Sequence, residues 1–214
     1  MAEPELVEVP DRAAWRRWLS RRHRGDAGIW LVIHKKGSSA GSLVYEDAVL
    51  EALCFGWIDS KANALDPERY KLWMAPRKPR STWSAVNKRR IESLLADGLM
   101  TKAGLASIEA AEADGSWNAL DRSDALEVPD DLVAEFRRHR GSRANWDGFP
   151  PGVRKQILAW IYSAKREETR RKRVAETASL AARNERANRW SLTTTDQPAA
   201  PPKRSSKTWV QPGS

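Results

Sequence analysis

GWIDSKANALDPERYKLWMAPR, residues 56–77, reads as two strands around a turn. Asp66-Pro67 supplies the turn chemistry, and the flanking runs carry the aromatic and branched side chains that suit a pleated surface. Period-two alternation predicts that Trp57, Asp59 and Lys61 share one face of the first strand, and the simple pairing is antiparallel. Upstream, IWLVIHKK (29–36) is apolar on both alternating sets, Trp30 and Val32 against Leu31 and Ile33. That pattern predicts a central strand covered on both faces.

Around this small sheet the pattern is helical. In RAAWRRWLSRRHR (12–24), Trp15, Trp18 and Leu19 recur at helical spacing behind Asp11, an N-cap residue. LVYEDAVLEALCF (43–55) buries Val49 and Leu53 in a short helix ending near Gly56. Ser84 caps a helix with the stripe Ile91, Leu94 and Leu95, which stops at Gly98, and Thr101 caps the alanine-rich helix that follows. An acidic stretch holding Asp114, Asp121, Asp124, Glu127, Asp130 and Asp131 then precedes at least two more helices, one with the stripe Val153, Ile157, Trp160, Ile161 and Ala164. The fold class is therefore α+β, predominantly helical with a small antiparallel sheet. Residues 1–190 are expected to form the compact domain, around one core. Residues 191–214, with Pro198, Pro201, Pro202 and Pro212 and no recurring apolar face, are expected to be a flexible basic tail.

Composition narrows the function classes. The 214 residues carry a formal net charge of +9, a sign that attracts nucleic acid, anionic lipid or an acidic protein without selecting among them. Eleven tryptophans argue for a packed body. A single cysteine, Cys54, excludes an intrachain disulfide, and its apolar setting in ALCFGW predicts a small buried thiol. MAEPELVEVPDRAAW (1–15) lacks the pattern of an export signal, and no apolar run is long enough to span a bilayer, so a cytoplasmic location is expected. His23, His34 and His139 are far apart and outside any HExxH pattern, and KKGSSAGS (35–42) matches neither phosphate-loop nor dinucleotide spacing. No metal and no cofactor is expected.

The richest local chemistry lies in HKK (34–36), GWIDS (56–60) and APRKPRSTWSAVNKRR (75–90). His34, Lys35, Trp57, Asp59, Arg77, Arg80, Trp83 and Asn87 form the candidate ligand site. Arg77 and Arg80 offer donor forks to a planar anion, Trp83 a stacking ring, and Asn87 both a donor and an acceptor. His34, oriented by Asp59, would shuttle a proton if the two strands pair suitably. The same residues also read plainly as structure: Trp57 and Trp83 as core rings, Asp59 ordering Arg77 or Arg80, and the other cations facing water.

A second candidate surface is basic. Lys165, Arg166, Arg170, Arg171, Lys172 and Arg173 cluster in KREETRRKR, and PPKRSSKTW adds Lys203, Arg204, Lys207 and Trp209. Such a surface contacts phosphates without reading bases, giving weak polyanion binding. The competing reading is a solvated helix face on which Glu167 and Glu168 support cations one turn on.

WLVIHKKGS, SLVYEDAVLEALCFGWIDS, RYKLWMAPRKPRSTWSAVNKRRIESL and WIYSAKREETRRKRVAE closely resemble the YdeI/OmdA family of bacteriocin-protection or OmpD-associated proteins, over about residues 12–185. Matching positions include Lys35, Lys36, Tyr45, Trp57, Asp59, Arg77, Arg80, Trp83, Asn87, Trp160, Lys165, Thr169 and Arg170. The resemblance implies a cytosolic α+β protein connected with envelope stress or antimicrobial-peptide tolerance, and it carries no catalytic residues. A porin partner would meet an unexported chain only indirectly or before export. The leading expectation is a noncatalytic binding or adaptor protein whose partner is a protein or an anionic small molecule. The alternatives are a small-molecule enzyme using His34 or Asp59 with an arginine, and a basic nucleic-acid accessory protein.

Overall fold

The computed structural model describes residues 4–25, 27–35 and 43–188. The expected tail, 191–214, lies outside the described residues, as do Lys36, Lys203, Arg204, Lys207 and Trp209.

The strands are β1 (Leu6–Val7), β2 (Ile29–His34), β3 (Trp57–Ala64) and β4 (Arg69–Pro76), in the spatial order β1-β2-β4-β3. The predicted hairpin is present: β3 and β4 pair antiparallel, and Asp66 organises the turn by accepting the Glu68 and Arg69 amides at 2.9 and 2.7 Å. β2 pairs antiparallel with β4, from Ile29↔Met74 to His34↔Arg69, and is interior in the sheet as expected, but its cover is unequal: Ile29, Leu31 and Ile33 are buried on one face, whereas Trp30 and His34 on the other are only half-buried. The two-residue β1 adds a parallel edge to this otherwise antiparallel sheet.

One facial assignment is corrected. Between Asp59 and Ala62 the β3–β4 register shifts at a bulge, so Asp59 and Ala62 face Met74 and Leu72 with two residues between them. The extra residue turns Lys61 to the other side of the sheet, where its ammonium lies over Trp30 and Trp73. Trp57 and Asp59 therefore share a face that Lys61 does not.

Helices α1 (Arg12–Arg22), α2 (Tyr45–Cys54), α3 (Ala85–Ala96) and α4 (Lys102–Ala113) accompany the sheet. Asp11, Ser84 and Thr101 cap α1, α3 and α4 by accepting amides three residues on, at 2.7, 3.3 and 3.4 Å. Positive φ at Gly56 and Gly98 follows α2 and α3, as their sequence positions predicted. The first apolar cluster joins Trp15 and Leu19 of α1, Leu31 and Ile33 of β2, Val49 and Leu53 of α2, and Ile91 and Leu94 of α3. Leu95, expected in that stripe, is 48% exposed, because the buried arc of α3 is narrow and ends at Leu94. Cys54 is buried, and burial pushes its thiol up, keeping it neutral.

Among the described residues five helices follow: α5 (Asp121–Asp124), α6 (Asp130–Arg138), α7 (Ser142–Gly148), α8 (Pro151–Tyr162) and α9 (Glu167–Ala182). They close on a second cluster centred on Leu132, Phe136, Trp146, Ile157, Leu158, Ile161 and Val174. The acidic stretch joins the two parts of the chain. Asp121 pairs with Lys88 of α3, while Asp124 accepts the Ala85 amide at 3.2 Å and Lys155 of α8 at 3.2 Å.

Candidate functional site

Four of the predicted residues converge beside the end of the sheet. Asp59 comes from β3 just before the bulge, Arg77 directly follows β4, and Trp83 and Asn87 flank the start of α3. Packing of α2 against β3 and α3 brings Tyr45, Glu46 and Arg90 to the same place. Tyr45 Oη donates to Asp59 Oδ2 at 2.9 Å. Arg90 grips Glu46 through both carboxylate oxygens, donates to Asn87 Oδ1 at 2.8 Å, and lies 5.9 Å from the Tyr45 ring centre.

Arg77 is placed differently from Arg90. Its guanidinium stacks on Trp83, 3.6 Å from the ring centre, and donates to the Thr82 carbonyl at 2.7 Å. Trp83 is itself a core ring packed against Trp117 at 5.0 Å, so the stacking platform is rigid. Among the described residues no carboxylate forms an ion pair with Arg77. Burial lowers its pKa to about 10, and the Asp59 charge opposes that shift. Burial, then the Asp59 charge, pushes the Tyr45 phenol up to about 12, so it stays a hydrogen-bond donor at neutral pH. The same two causes, in that order, raise Tyr70. The hydrogen bond from Arg90 holds the Glu46 carboxyl below its usual range, against the effect of burial.

The chemistry assembled here suits recognition: the Asp59 carboxylate as acceptor, the Tyr45 phenol as donor, an Arg90–Glu46 pair beside them, and a stacked Arg77 guanidinium whose hydrogen bonds, among the described residues, go to carbonyls. The hydroxyl of Tyr45 and the guanidinium of Arg90 were not among the candidates from sequence. Tyr45 stood in a resembling motif, and Arg90 was hidden in the basic run NKRR.

The other candidates lie elsewhere. His34 pairs in register with Arg69 at the opposite end of β4 from Asp59's partner Met74, and on the other face. β2 pairs with β4 and not with β3, so Asp59 does not orient His34. Instead His34 Nε2 is 3.4 Å from Glu8, in a shallow cleft formed with Asp66, Pro67, Glu68 and Arg69. Lys35 Nζ donates to the carbonyls of Asp66 and Pro67 at 3.3 and 2.9 Å, tying down the hairpin turn. Trp57 is a core ring that donates to the His23 carbonyl at 3.0 Å. Arg80 takes a positive φ of 61° and gives its backbone amide to Asp114 at 3.0 Å.

The basic segment divides into cations that bond other elements and cations that stay in solvent. Arg170 makes two bonds to Asp131, at 2.7 and 3.0 Å, and Arg173 bonds the Trp160 carbonyl and, at 3.0 Å, Ser163 Oγ. Arg171 and Lys172 sit in exposed pairs with Glu167 and Glu168, at 3.9 and 2.7 Å. Lys165 and Arg166 precede α9 and are exposed. Among the described residues no group of three or more His, Cys, Asp or Glu side chains is placed to hold a metal ion, and no helix is long and apolar enough to cross a membrane.

Two family profiles match separate parts of the chain. Residues 7–107 match a domain of unknown function (DUF8412), and residues 125–184 match the family described as "Bacteriocin-protection, YdeI or OmpD-Associated". The resemblance to that second family thus holds for the helical C-terminal region, while the quoted motifs between residues 29 and 95 fall in the other match. Most residues of the first apolar cluster fall in the first match and most of the second cluster in the second. No curated protein and no solved structure matches the chain.

Proposed function

We propose that this protein is a noncatalytic binding or adaptor protein of stress or antimicrobial-peptide tolerance, acting in the cytoplasm and holding an anionic ligand at Arg77. The match of residues 125–184 to a protection-associated family supports the physiological theme. The observation that carries the binding reading is Arg77 itself. A guanidinium stacked on a core tryptophan and lacking an ion-pair partner among the described residues is costly to desolvate, and an incoming carboxylate or phosphate would supply the missing charge. Tyr45 and Asp59, tied to each other, would add a donor and an acceptor for the ligand's neutral polar groups.

The test is a thermal-shift and calorimetric screen of the full chain against carboxylates, phosphates and acidic peptides. Saturable binding should disappear in Arg77→Ala and persist in Arg80→Ala, since Arg80 gives its backbone amide to Asp114 and, among the described residues, has neither the Trp83 stacking nor a bond to the site that Arg77 has. Equal loss in both variants, or no saturable binding by the folded parent, would overturn the reading.

A further inference from the structure

The sheet has a second face that the proposed site does not use. The fully buried strand residues of the first core cluster, Val7, Ile29, Leu31, Ile33, Trp57, Leu72 and Met74, all lie on the helix-covered face. On the opposite face Trp30 and Trp73 are direct cross-strand partners, with ring centres 5.2 Å apart and planes at 75°. Both indoles are half-buried, and Leu6, the β1 partner of Trp30, is 54% exposed beside them. Val32 is buried on this face yet stands outside the core cluster.

Two lysines stand over these rings. Lys61 Nζ lies 5.2 Å from the Trp30 centre and 5.6 Å from Trp73, and Lys71 Nζ lies 4.8 Å from Trp30. Neither has a carboxylate partner among the described residues. The bulge in β3 is what sends Lys61 to this side. Gly28 fixes the position of the Trp73 ring, because a Cβ there would come within 2.4 Å of Trp73 Cζ2.

The geometry points to a binding platform for single-stranded nucleic acid, with bases stacked on Trp30 and Trp73 and the phosphates between them held by Lys61 and Lys71. Paired, partly exposed aromatic rings on a sheet face recognise unstacked bases, and flanking ammonium groups neutralise the backbone. A duplex, whose bases are already stacked on one another, cannot use the rings. A second copy of the chain would set the same lysines against each other. The segment 191–214 of this chain carries Lys203, Arg204 and Lys207, the same sign of charge as the face.

The test is fluorescence anisotropy of the full chain with labelled oligouridylate and oligothymidylate of about 12 nucleotides, a duplex of equal length, and oligoglutamate as competitor. Both single strands should bind at least roughly tenfold tighter than the duplex, and a preference between them reports whether a ribose hydroxyl is read. Trp73→Leu should weaken single-strand binding about tenfold. Lys61→Ala with Lys71→Ala should reduce the slope of log K against log salt by about 1.4, at about 0.7 for each of two phosphates. Should Trp73→Leu fail to fold, the lysine pair still decides, because neither lysine belongs to the core. Unchanged binding in the lysine variant, equal affinity for duplex, or equally tight oligoglutamate binding would each overturn the proposal.

Discussion

Gly104→Ala should destabilise the protein although alanine is the better helix former. Gly104 lies in the first turn of α4, where a Cβ would sit 2.4 Å from the Cys54 carbonyl oxygen and 2.8 Å from its carbon. Ordinary contact begins at about 3.4 Å, so α4 must retreat from the end of α2 by roughly 3.4 − 2.4 = 1.0 Å. The retreat strains two bonds to that same carbonyl, from Thr101 Oγ1 at 2.6 Å and Thr101 N at 3.2 Å. It also loosens Ile108 and Ala111 from the core. Overpacking costs about 1–3 kcal/mol and a weakened hydrogen bond about 1 kcal/mol, against a gain of about 1 kcal/mol in helix propensity. The net is a loss of about 1–3 kcal/mol, or a drop in Tm of roughly 2–12 °C for a chain of this size. Gly152→Ala in α8 is the matched control, since a Cβ there meets nothing within 4 Å. Circular-dichroism melts should show Gly104→Ala falling and Gly152→Ala unchanged or rising. Equal behaviour of the two variants would refute the close approach of α4 to α2.

Three further outcomes follow from the ion pairs and titrations. Tyr45, pushed to about 12, is protonated in both folded and unfolded chains below pH 10, so its contribution to stability is complete there and is lost as pH rises from 10 through 12. The difference in phenolate absorbance between parent and Tyr45→Phe should therefore develop near pH 12, and a difference centred at pH 10 would contradict the Asp59 contact. Glu51, 2% exposed, holds both Arg12 and Arg16 at 2.7 Å, so Glu51→Gln should cost about 2 kcal/mol in urea unfolding, less than a fully buried pair because both arginines reach water. An unmoved urea midpoint would count against this bridge between α1 and α2. On α9, Arg170→Ala should cost about 1 kcal/mol through its two bonds to Asp131, whereas Lys172→Ala, in an exposed pair, should change the unfolding midpoint by less than its error; equal losses would remove the distinction between structural and solvated cations.

What the sequence disclosed was what is written locally. Asp11, Ser84 and Thr101 cap the helices they were expected to cap, and Asp66 makes the hairpin turn, because each acts on amides two or three residues away. β1 was not foreseen, since two residues carry no periodicity and their pairing with β2 spans more than twenty positions. The bulge that turns Lys61 away from Asp59 is a property of the β3–β4 register, which alternation assumes to be unbroken. The link imagined between His34 and Asp59 failed for a topological reason, as β4 lies between their strands. Tyr45 and Arg90 reach the site through the packing of α2 against β3 and α3, so they looked like a helix start and a surface charge. Gly104 looked incidental in an alanine-rich helix, because its neighbour, the Cys54 carbonyl, is fifty residues earlier.

The most direct measurement of the anion-site claim follows the Arg77 side chain by nuclear magnetic resonance during titration with small carboxylates and phosphates. Stacked 3.6 Å from the Trp83 ring centre, the Arg77 guanidinium should give an Nε–H signal displaced by the ring current, assigned by its loss in Arg77→Lys. This signal should move saturably with anion concentration, and Asp59 and Tyr45 signals should move with the same dissociation constant. An Arg77 signal that stays fixed while the anion saturates another part of the protein would contradict the anion-site claim.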